Sequence, residues 1–297
     1  MFEKGRAAVR DRPRPRPGRG FALVRVVLSG ICNTDLELKR GYHGFSGVPG
    51  HEFVGVVEGP ASSKWLHKRV VGEINLACGR CAWCARGLGR HCPKRTVLGI
   101  LRHPGAHAEF LTLPEANLRE VPGNVTDEEA VFVEPLAAAC EILDQVEVGR
   151  STRTAVLGAG KLGTLCAAVL QNAGASVALL ARGAKARAGS FDLVVEATGS
   201  PAGMPRALEL VRPRGTIVWK TTHHVPARFD AAPMVVNEIT VVGSRCGRFE
   251  PALKLLEQRR VDVRSLLSAE FPLERAVRAL REAARPGVKK VLLRPGA

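Results

Sequence analysis

The chain contains 297 residues, of which 45% are hydrophobic and 24% are charged, a composition that excludes wholesale disorder and predicts about two folded domains. Lys and Arg number 44 against 28 Asp and Glu, which gives a formal net charge of +16. These basic residues are scattered and no base-reading motif accompanies them, so the charge predicts attraction of anionic ligands and no nucleic-acid partner.

The first part of the chain has the pattern of an irregular, mostly antiparallel β domain. Valine-rich apolar runs bounded by glycine predict strands over 21–30, 53–59 and 68–74. The stretch 96–121 continues in short pieces that prolines interrupt. The segment Arg10 to Arg19 alternates arginine with proline and indicates an extended, solvated chain before the first strand.

After about residue 125 the pattern changes to alternating helices and strands. Thr126 and Glu129 have capping-box spacing and open a helix over 126–147, which Pro135 interrupts. Further strands are predicted over 154–160, 176–182, 191–199, 216–221 and 239–244, with helices over 161–174 and 204–213. This alternation predicts an α/β fold with a doubly wound parallel sheet, and the chain is expected to end as helix, helix and strand.

The setting of the protein also follows from its sequence. No stretch of about 18 apolar residues occurs, so we expect no membrane span. The N-terminal segment lacks the apolar core of a signal peptide, which favours the cytoplasm. Four of the eight cysteines lie between Cys78 and Cys92. In a reducing compartment such a cluster indicates a metal site and not disulfides.

The cysteine cluster gives the strongest chemical signal. Its spacing is C-x2-C-x2-C-x7-C, with Cys78, Cys81, Cys84 and Cys92 as the thiols. Four thiolates complete a tetrahedral zinc shell and leave no open position, so we predict a structural zinc. Iron–sulfur ligation is the alternative, because thiolates hold those clusters too.

A glycine-rich turn gives the second signal. Gly158, Gly160 and Gly163 in VLGAGKLG follow an apolar strand and open an amphipathic helix, which is the context that dinucleotide binding requires. Glycines let a pyrophosphate approach the backbone, and the helix N-terminus offers N–H groups. We therefore predict cofactor binding by this turn, including Lys161 and Leu162.

The acidic residue that holds the ribose of NAD is absent from the end of the second strand. Arg182 stands about where this carboxylate is expected, with Lys185 and Arg187 close behind. An arginine can pair with a 2′-phosphate, so the sequence favours NADP over NAD and leaves both open.

A third signal is dispersed along the chain. Cys32, His51 and Glu134 supply a thiolate, an imidazole and a carboxylate, a set that suits a zinc site with an open position. Asp35 is expected to orient the His51 ring. Thr34 is placed to pass a proton between a bound oxygen and the cofactor ribose.

Eight ordered motifs cover nearly the whole chain: GICNTDLEL, PGHEFVGVV, CGRCAWCARGLGRHC, LGILRHPGAHAEF, VEPLA, VLGAGKLG, VVEATGS and VKKVLL. In this order they resemble the zinc-containing medium-chain dehydrogenase/reductase family of alcohol and polyol dehydrogenases. The resemblance implies a GroES-like β-barrel catalytic domain over 1–150 and 263–297, with a structural zinc lobe over 78–92. It implies a Rossmann domain over 151–262.

The same resemblance implies an activity and a ligand set. Cys32 and His51 match catalytic-zinc ligands, Glu52 and Glu134 are both candidates for the third ligand, and Thr34 matches the proton-relay hydroxyl. With the four-cysteine site this makes two zinc ions per chain. The implied reaction is hydride transfer between a small alcohol or carbonyl substrate and NAD or NADP, by a homo-oligomer of two or four chains. A zinc-independent reductase and a non-catalytic NADPH-binding protein remain the alternatives.

Two departures from the family pattern carry expectations of their own. Only residues 183–190 separate two strands between which relatives carry a helix and a further strand, so the sheet is expected to be shortened on its adenine side. Glu37 replaces the relay histidine of alcohol dehydrogenases, which leaves His43 as a candidate for proton exit. His223 and His224 follow a strand and are candidates for contact with substrate or cofactor.

Overall fold

The computed structural model describes residues 1–3, 5–222 and 226–296, so that His223 and His224 lie outside the described residues, as does the side chain of His43. The chain divides into two units. Unit 1 consists of Met1–Glu134, Leu256–Gln258 and Asp262–Ala297, and unit 2 of Pro135–Leu255 and Arg259–Val261. The first boundary between the units therefore lies after Glu134, whereas the sequence predicted it after residue 150.

Unit 1 is built on a mostly antiparallel sheet of seven strands among the described residues, with the order β10-β5-β4-β3-β17-β16 and with β9 also paired to β3. The strands are β3 (Phe21–Ile31), β4 (Glu52–Gly59), β5 (Arg69–Gly72), β9 (Phe110–Pro114), β10 (Leu118–Glu120), β16 (Leu267–Pro272) and β17 (Lys290–Arg294). The predicted strands at 21–30, 53–59 and 68–74 are thus present, with ends shifted by a few residues.

The long strand β3 organises this sheet, because it pairs antiparallel with β4, β9 and β17. Val24, Val26 and Leu28 are buried, and Arg25 between them is exposed, as alternation along a strand requires. One face of β3 therefore contributes to the core.

Shorter elements complete unit 1. They are the strands β1 (Phe2–Glu3), β2 (Arg6–Ala7), β6 (Asn75–Leu76), β7 (Thr96–Leu98) and β8 (Arg102–His103), with the helices α1 (Asn33–Lys39), α2 (Ala82–Ala85), α3 (Asp127–Ala130) and α9 (Ala276–Ala283). Strands β6, β7 and β8 form a separate small sheet beside the cysteine cluster.

The end of the chain corrects one prediction. It was expected to run helix, helix and strand, yet the strand β16 (Leu267–Pro272) lies between the two helices and pairs parallel with β17. Its residues alternate between half-buried and exposed, so it has no continuous apolar run that would mark it in the sequence.

Unit 2 contains a fully parallel sheet with the order β12-β11-β13-β14-β15. The strands are β11 (Arg153–Leu157), β12 (Ser176–Leu180), β13 (Phe191–Glu196), β14 (Val211–Trp219) and β15 (Thr240–Gly243). Its helices are α4 (Val133–Gln145), which begins at the unit boundary, α5 (Lys161–Asn172), α6 (Gly203–Leu210), α7 (Ala232–Val236) and α8 (Phe249–Glu257), which ends across it.

The expected loss of a strand is confirmed, because β12 forms the edge of the sheet. The segment 181–190 has no helix. It passes along α6, where Gly189 and Ser190 donate backbone hydrogen bonds to Glu209 and Leu210, and Ala186 packs against the core there. An extended segment thus takes the place of a crossover helix.

The predicted helix 126–147 is divided into α3 and α4, and its capping box is confirmed. Thr126 Oγ1 accepts from the Glu129 N–H at 3.3 Å, and the Thr126 N–H donates to Glu129 Oε2 at 2.9 Å. Pro135 was predicted to interrupt this helix, and that prediction is wrong. It lies in the first turn of α4, where the missing N–H has no helical acceptor.

Packing within unit 2 explains the early boundary. Gln145 donates to the Gly243 carbonyl at 3.2 Å, and Arg248 pairs with Asp144 at 3.3 Å. Gly247 lies so close to α4 that a Cβ there would stand 2.0 Å from the Ala137 carbonyl oxygen. Helix α4 is therefore anchored to this unit. In the described part of the chain no helix is long and apolar enough to cross a membrane.

Gly247→Ala tests this anchoring. We expect a loss of about 1–3 kcal/mol in the free energy of unfolding, because backbone must move to accept the methyl group. Gly243→Ala is the matched control, since a Cβ at Gly243 meets no atom within 4 Å. Urea unfolding of both variants measures the effect, and equal midpoints for the two would contradict the packing described.

Candidate metal centres and cofactor turn

The pairing of β3 with β4 builds the first candidate centre. Gly30 near the end of β3 lies opposite Glu52 at the start of β4. Cys32 follows β3 directly as the N-cap of α1, and His51 directly precedes β4. An antiparallel pair therefore brings together residues that are about twenty positions apart in the chain.

The structure places a sulfur, an imidazole nitrogen and a carboxylate oxygen in one cluster. The candidate ligand atoms of Cys32, His51 and Glu52 all lie within 4.8 Å of one another. His51 and Glu52 are buried, and Glu52 Oε1 has no hydrogen-bond partner. A buried, unpartnered carboxylate oxygen beside a thiol and an imidazole fits a bound cation.

The other two predicted residues lie close by. Thr34 Oγ1 is 3.7 Å from Cys32 Sγ. Glu134 is 9% exposed and interacts electrostatically with His51 and Lys290. Glu134 does not belong to the cluster within 4.8 Å that the described residues form. The geometry therefore favours Glu52 over Glu134 as the nearer carboxylate.

Asp35 holds the two halves of this cluster together. Its Oδ2 accepts from the Cys32 N–H at 2.8 Å, and its Oδ1 accepts from the Gly50 N–H at 3.1 Å. The same Oδ1 lies 3.6 Å from His51 Nδ1, so Asp35 faces the ring as predicted. Its carboxylate thus fixes the residues on which the thiol and the imidazole depend.

Electrostatics favour the ionised form of this carboxyl. Burial opposes its charge, but His51 and then His107 hold the pKa of Asp35 well below its usual range. Burial likewise lowers the pKa of His51, yet Asp35 and Cys32 outweigh it and raise that pKa well above the usual value.

Glu52 is held from its other oxygen by a residue that the sequence reasoning missed. Lys290 Nζ forms an ion pair with Glu52 Oε2, and both side chains are 1% exposed. Burial opposes the lysine charge, but Glu52 raises the pKa of Lys290 above its usual value. The Nζ also lies 5.4 Å from the Phe132 ring centroid. The sequence signal that could have identified Lys290 is a charged residue at the start of the apolar strand sequence KVLL.

Gly30 makes room for this pair. A Cβ at Gly30 would lie 2.7 Å from Glu52 Oε2 and 3.2 Å from Lys290 Cδ.

His107 was also missed as a site residue. Its Nε2 lies 3.6 Å from Asp35 Oδ2, and its Nδ1 lies 3.0 Å from Ser29 Oγ.

The second candidate centre is the four-cysteine lobe. The sulfur–sulfur distances are 3.5 Å for Cys81–Cys84, 3.7 Å for Cys81–Cys92 and 4.0 Å for Cys78–Cys84. Zinc–sulfur bonds of about 2.3 Å in a tetrahedron place sulfurs about 3.8 Å apart, so the arrangement fits one zinc ion. A hydrogen bond from the Arg80 backbone lowers the pKa of Cys78 to about 6, whereas burial and the neighbouring thiol of Cys81 raise the pKa of Cys84 to about 11.

The remaining cysteines are not part of either centre. Burial raises the pKa of Cys140 to about 12 and that of Cys166 to about 11, in keeping with inert thiols. Cys246 is half-buried.

The glycine turn lies between β11 and α5 as predicted. Gly158 has φ +101°, and a Cβ there would stand 2.6 Å from the Ala197 carbonyl oxygen. A Cβ at Gly163 would meet the Gly158 carbonyl oxygen at 1.8 Å. Gly160, the N-cap of α5, instead faces open space, with no atom within 4 Å of a Cβ. Two glycines permit the turn, and the third leaves backbone open to a phosphate.

The basic residues after β12 are separated by the fold. Gly158 donates to the Leu180 carbonyl at 2.9 Å, so Arg182 lies just beyond the strand end beside the glycine turn. Arg187 instead lines a groove with Arg153 and Ser176, the first residues of β11 and β12. It therefore lies at the opposite edge of the sheet from the turn.

Comparisons with known proteins agree with this geometry. Residues 18–123 match the family model described as alcohol dehydrogenase GroES-like domain, and residues 161–258 match the model described as zinc-binding dehydrogenase. The chain is 31% identical to the D-altritol 5-dehydrogenase of Agrobacterium fabrum, over 92% of this chain and 91% of that protein.

Solved structures give the same result. An alcohol dehydrogenase from Thermus sp. ATN1 superimposes with a TM-score of 0.88 at 32% identity, covering 100% of this chain and 99% of that one. A zinc-binding dehydrogenase from Sinorhizobium meliloti 1021, solved with NADP bound, has a TM-score of 0.87 at 25% identity, covering 99% of this chain and 97% of that one.

Lys290→Met tests the buried ion pair. It leaves the Glu52 carboxylate without its buried countercharge, and we expect a loss of about 3–5 kcal/mol in the free energy of unfolding. The additional change Glu52→Gln should restore part of that loss. Lys289→Met is the control, since this neighbouring lysine has no such partner among the described residues. Thermal and urea unfolding measure all three, and a Lys290→Met protein as stable as Lys289→Met would contradict the prediction.

Proposed function

Because this chain belongs to the zinc-containing medium-chain dehydrogenase/reductase family and is an oxidoreductase of the alcohol and polyol dehydrogenase type, we propose that Cys32, His51 and Glu52 hold a catalytic zinc ion. The convergence of these three groups, with one buried carboxylate oxygen left unpartnered, carries the proposal. A second, structural zinc occupies the four-cysteine lobe.

The two oxygens of Glu52 have different partners in this arrangement. Glu52 Oε2 is paired with Lys290, so the unpartnered Oε1 is available to the metal. His51 Nδ1 faces Asp35, so Nε2 is the ring nitrogen available to the metal. Glu134 remains near enough to act on the charge of the site without being a ligand at this geometry.

When bound, zinc supplies Lewis acidity that lowers the pKa of the substrate hydroxyl, and the nicotinamide supplies the hydride acceptor. The chain's own residues do the rest. Thr34 Oγ1, which lies 3.7 Å from Cys32 Sγ, would accept the hydroxyl proton and donate its own proton to the cofactor ribose. Asp35 orients His51, and the buried Lys290 balances the charge of Glu52. Polyhydroxy alcohols are the proposed substrate class, as the name of the altritol relative suggests.

For the cofactor, we assign the pyrophosphate to the backbone around Gly160, Lys161 and Leu162 at the start of α5. Arg182, two residues beyond β12, would pair with a 2′-phosphate, and the sequence from 176 to 190 contains no Asp or Glu to hold a ribose diol. NADP is therefore proposed over NAD. A cluster of four cysteines that suits a metal and not disulfides supports a reducing compartment such as the cytoplasm. A homo-oligomer stays a prediction.

Cys32→Ser tests the catalytic centre. We expect its hydride transfer to an alcohol panel, followed by NADPH and NADH absorbance, to fall to background. Zinc content should fall from two ions per chain to one, while thermal unfolding stays unchanged. Cys84→Ser should instead lose the other ion and stability with it. One zinc per wild-type chain, or full activity after chelation of the Cys32 site, would reject the proposal and favour a zinc-independent reductase.

Arg182→Ala tests the cofactor preference. Loss of charge-assisted hydrogen bonds worth about 1.5–3 kcal/mol should raise the KM for NADPH by roughly 10–100-fold and leave that for NADH nearly unchanged. Arg187→Ala is the control, because Arg187 lies at the other edge of the sheet. Equal effects on NADPH and NADH would rule out a role for Arg182 at a 2′-phosphate.

A further inference from the structure

A short backbone ladder beside the catalytic centre carries His107. Gly105 donates to the Val48 carbonyl at 2.7 Å, Ala106 donates to Gly50 at 2.8 Å, and His107 donates to Pro49 at 3.0 Å. This ladder holds the segment around His107 directly against the residues that lead into His51.

The His107 ring is packed on the backbone of Gly50. A Cβ at Gly50 would lie 2.6 Å from His107 Nδ1 and 2.8 Å from its Cγ. Gly50 also has φ +99°, so glycine is required here for two reasons. Because Gly50 directly precedes His51, the ring restricts the backbone from which the proposed zinc ligand projects.

The same ring reaches the carboxylate that faces His51. His107 Nε2 lies 3.6 Å from Asp35 Oδ2, while His51 Nδ1 lies 3.6 Å from Asp35 Oδ1. His107 Nδ1 in turn lies 3.0 Å from the buried hydroxyl of Ser29. One enclosed carboxylate therefore stands between two imidazoles, each on its own oxygen, and a strand hydroxyl fixes the outer ring.

We propose that His107 is a positioning residue, which acts through Asp35 and Gly50 to hold the His51 ring in the orientation that zinc binding requires. This rests on the proposed function, in which His51 is a ligand. The Ser29 hydroxyl lies at hydrogen-bond distance from His107 Nδ1, so the opposite ring nitrogen, Nε2, faces Asp35. The other carboxylate oxygen of Asp35, Oδ1, faces His51 Nδ1. Outer partners of metal-bound histidines act in this way on ring orientation.

His107→Phe tests the proposal, because phenylalanine keeps a ring of similar size and removes both nitrogens. Zinc competition with a chromogenic chelator should show the affinity of the Cys32–His51 site reduced about 10–100-fold, with the four-cysteine site unchanged. With cobalt in place of zinc, the absorption bands of that site should shift. His107→Gln, whose amide can donate to Asp35, should recover most of the affinity.

His103→Phe is the matched control. His103 lies on β8 and its Nε2 is 2.9 Å from the Thr112 carbonyl, away from Asp35, so its replacement should alter neither zinc affinity nor the cobalt bands. Two zincs in the wild type together with unchanged affinity and cobalt bands in His107→Phe would overturn the role of His107 alone. One zinc in the wild type would overturn the proposed function itself.

A second variant covers the case in which His107→Phe does not fold. Ser29→Ala removes only the hydroxyl that meets His107 Nδ1 and leaves the ring in place. We expect a smaller loss of zinc affinity at the same site, of roughly 2–10-fold, from the loss of one hydrogen bond. Wild-type affinity in Ser29→Ala would overturn the proposal in that case.

Discussion

Two buried carboxylates, those of Asp35 and Glu52, are the constraint on which the proposed catalytic centre depends. Neither can be taken out of water without partners, since an isolated buried charge costs several kcal/mol. Asp35 is compensated by two backbone N–H groups and two imidazoles. Glu52 is compensated by Lys290 on one oxygen only. The remaining oxygen, which has no partner, is the feature of the cluster that fits a cation.

This arrangement also explains how distant segments are held together. The carboxylate of Asp35 joins α1 to the residues before β4, and the ammonium of Lys290 joins the C-terminal strand β17 to β4. Gly30 and Gly50 are required because side chains from other segments occupy the space that a Cβ would take. The centre is therefore a product of three strands and one short helix, all within unit 1.

Unit 2 builds its glycine turn on a sheet that lacks a strand of the family pattern, as the sequence predicted. The glycine turn keeps all three of its spatial roles, although the sheet ends at β12. The extended segment 181–190 covers part of the core through Ala186 and leaves the edge strand partly exposed, with Leu179 38% accessible. The shortening lies on the side of the turn where Arg182 follows the end of β12.

The sequence by itself determined the features that depend on local spacing. The four cysteines, the glycine turn, the capping box of α3 and the alternation of strands and helices are all short-range patterns, and the short 183–190 segment was enough to predict the missing strand. Tertiary structure alone decided the features that depend on pairing between distant segments. These features are the position of Glu52 beside Cys32 and His51, its ion pair with Lys290, the place of His107 beside Asp35, and the weakly patterned strand β16, all of which depend on register and packing. The partner of a buried charge cannot be identified from the sequence, because the two groups are distant in the chain and come into contact only in the folded structure.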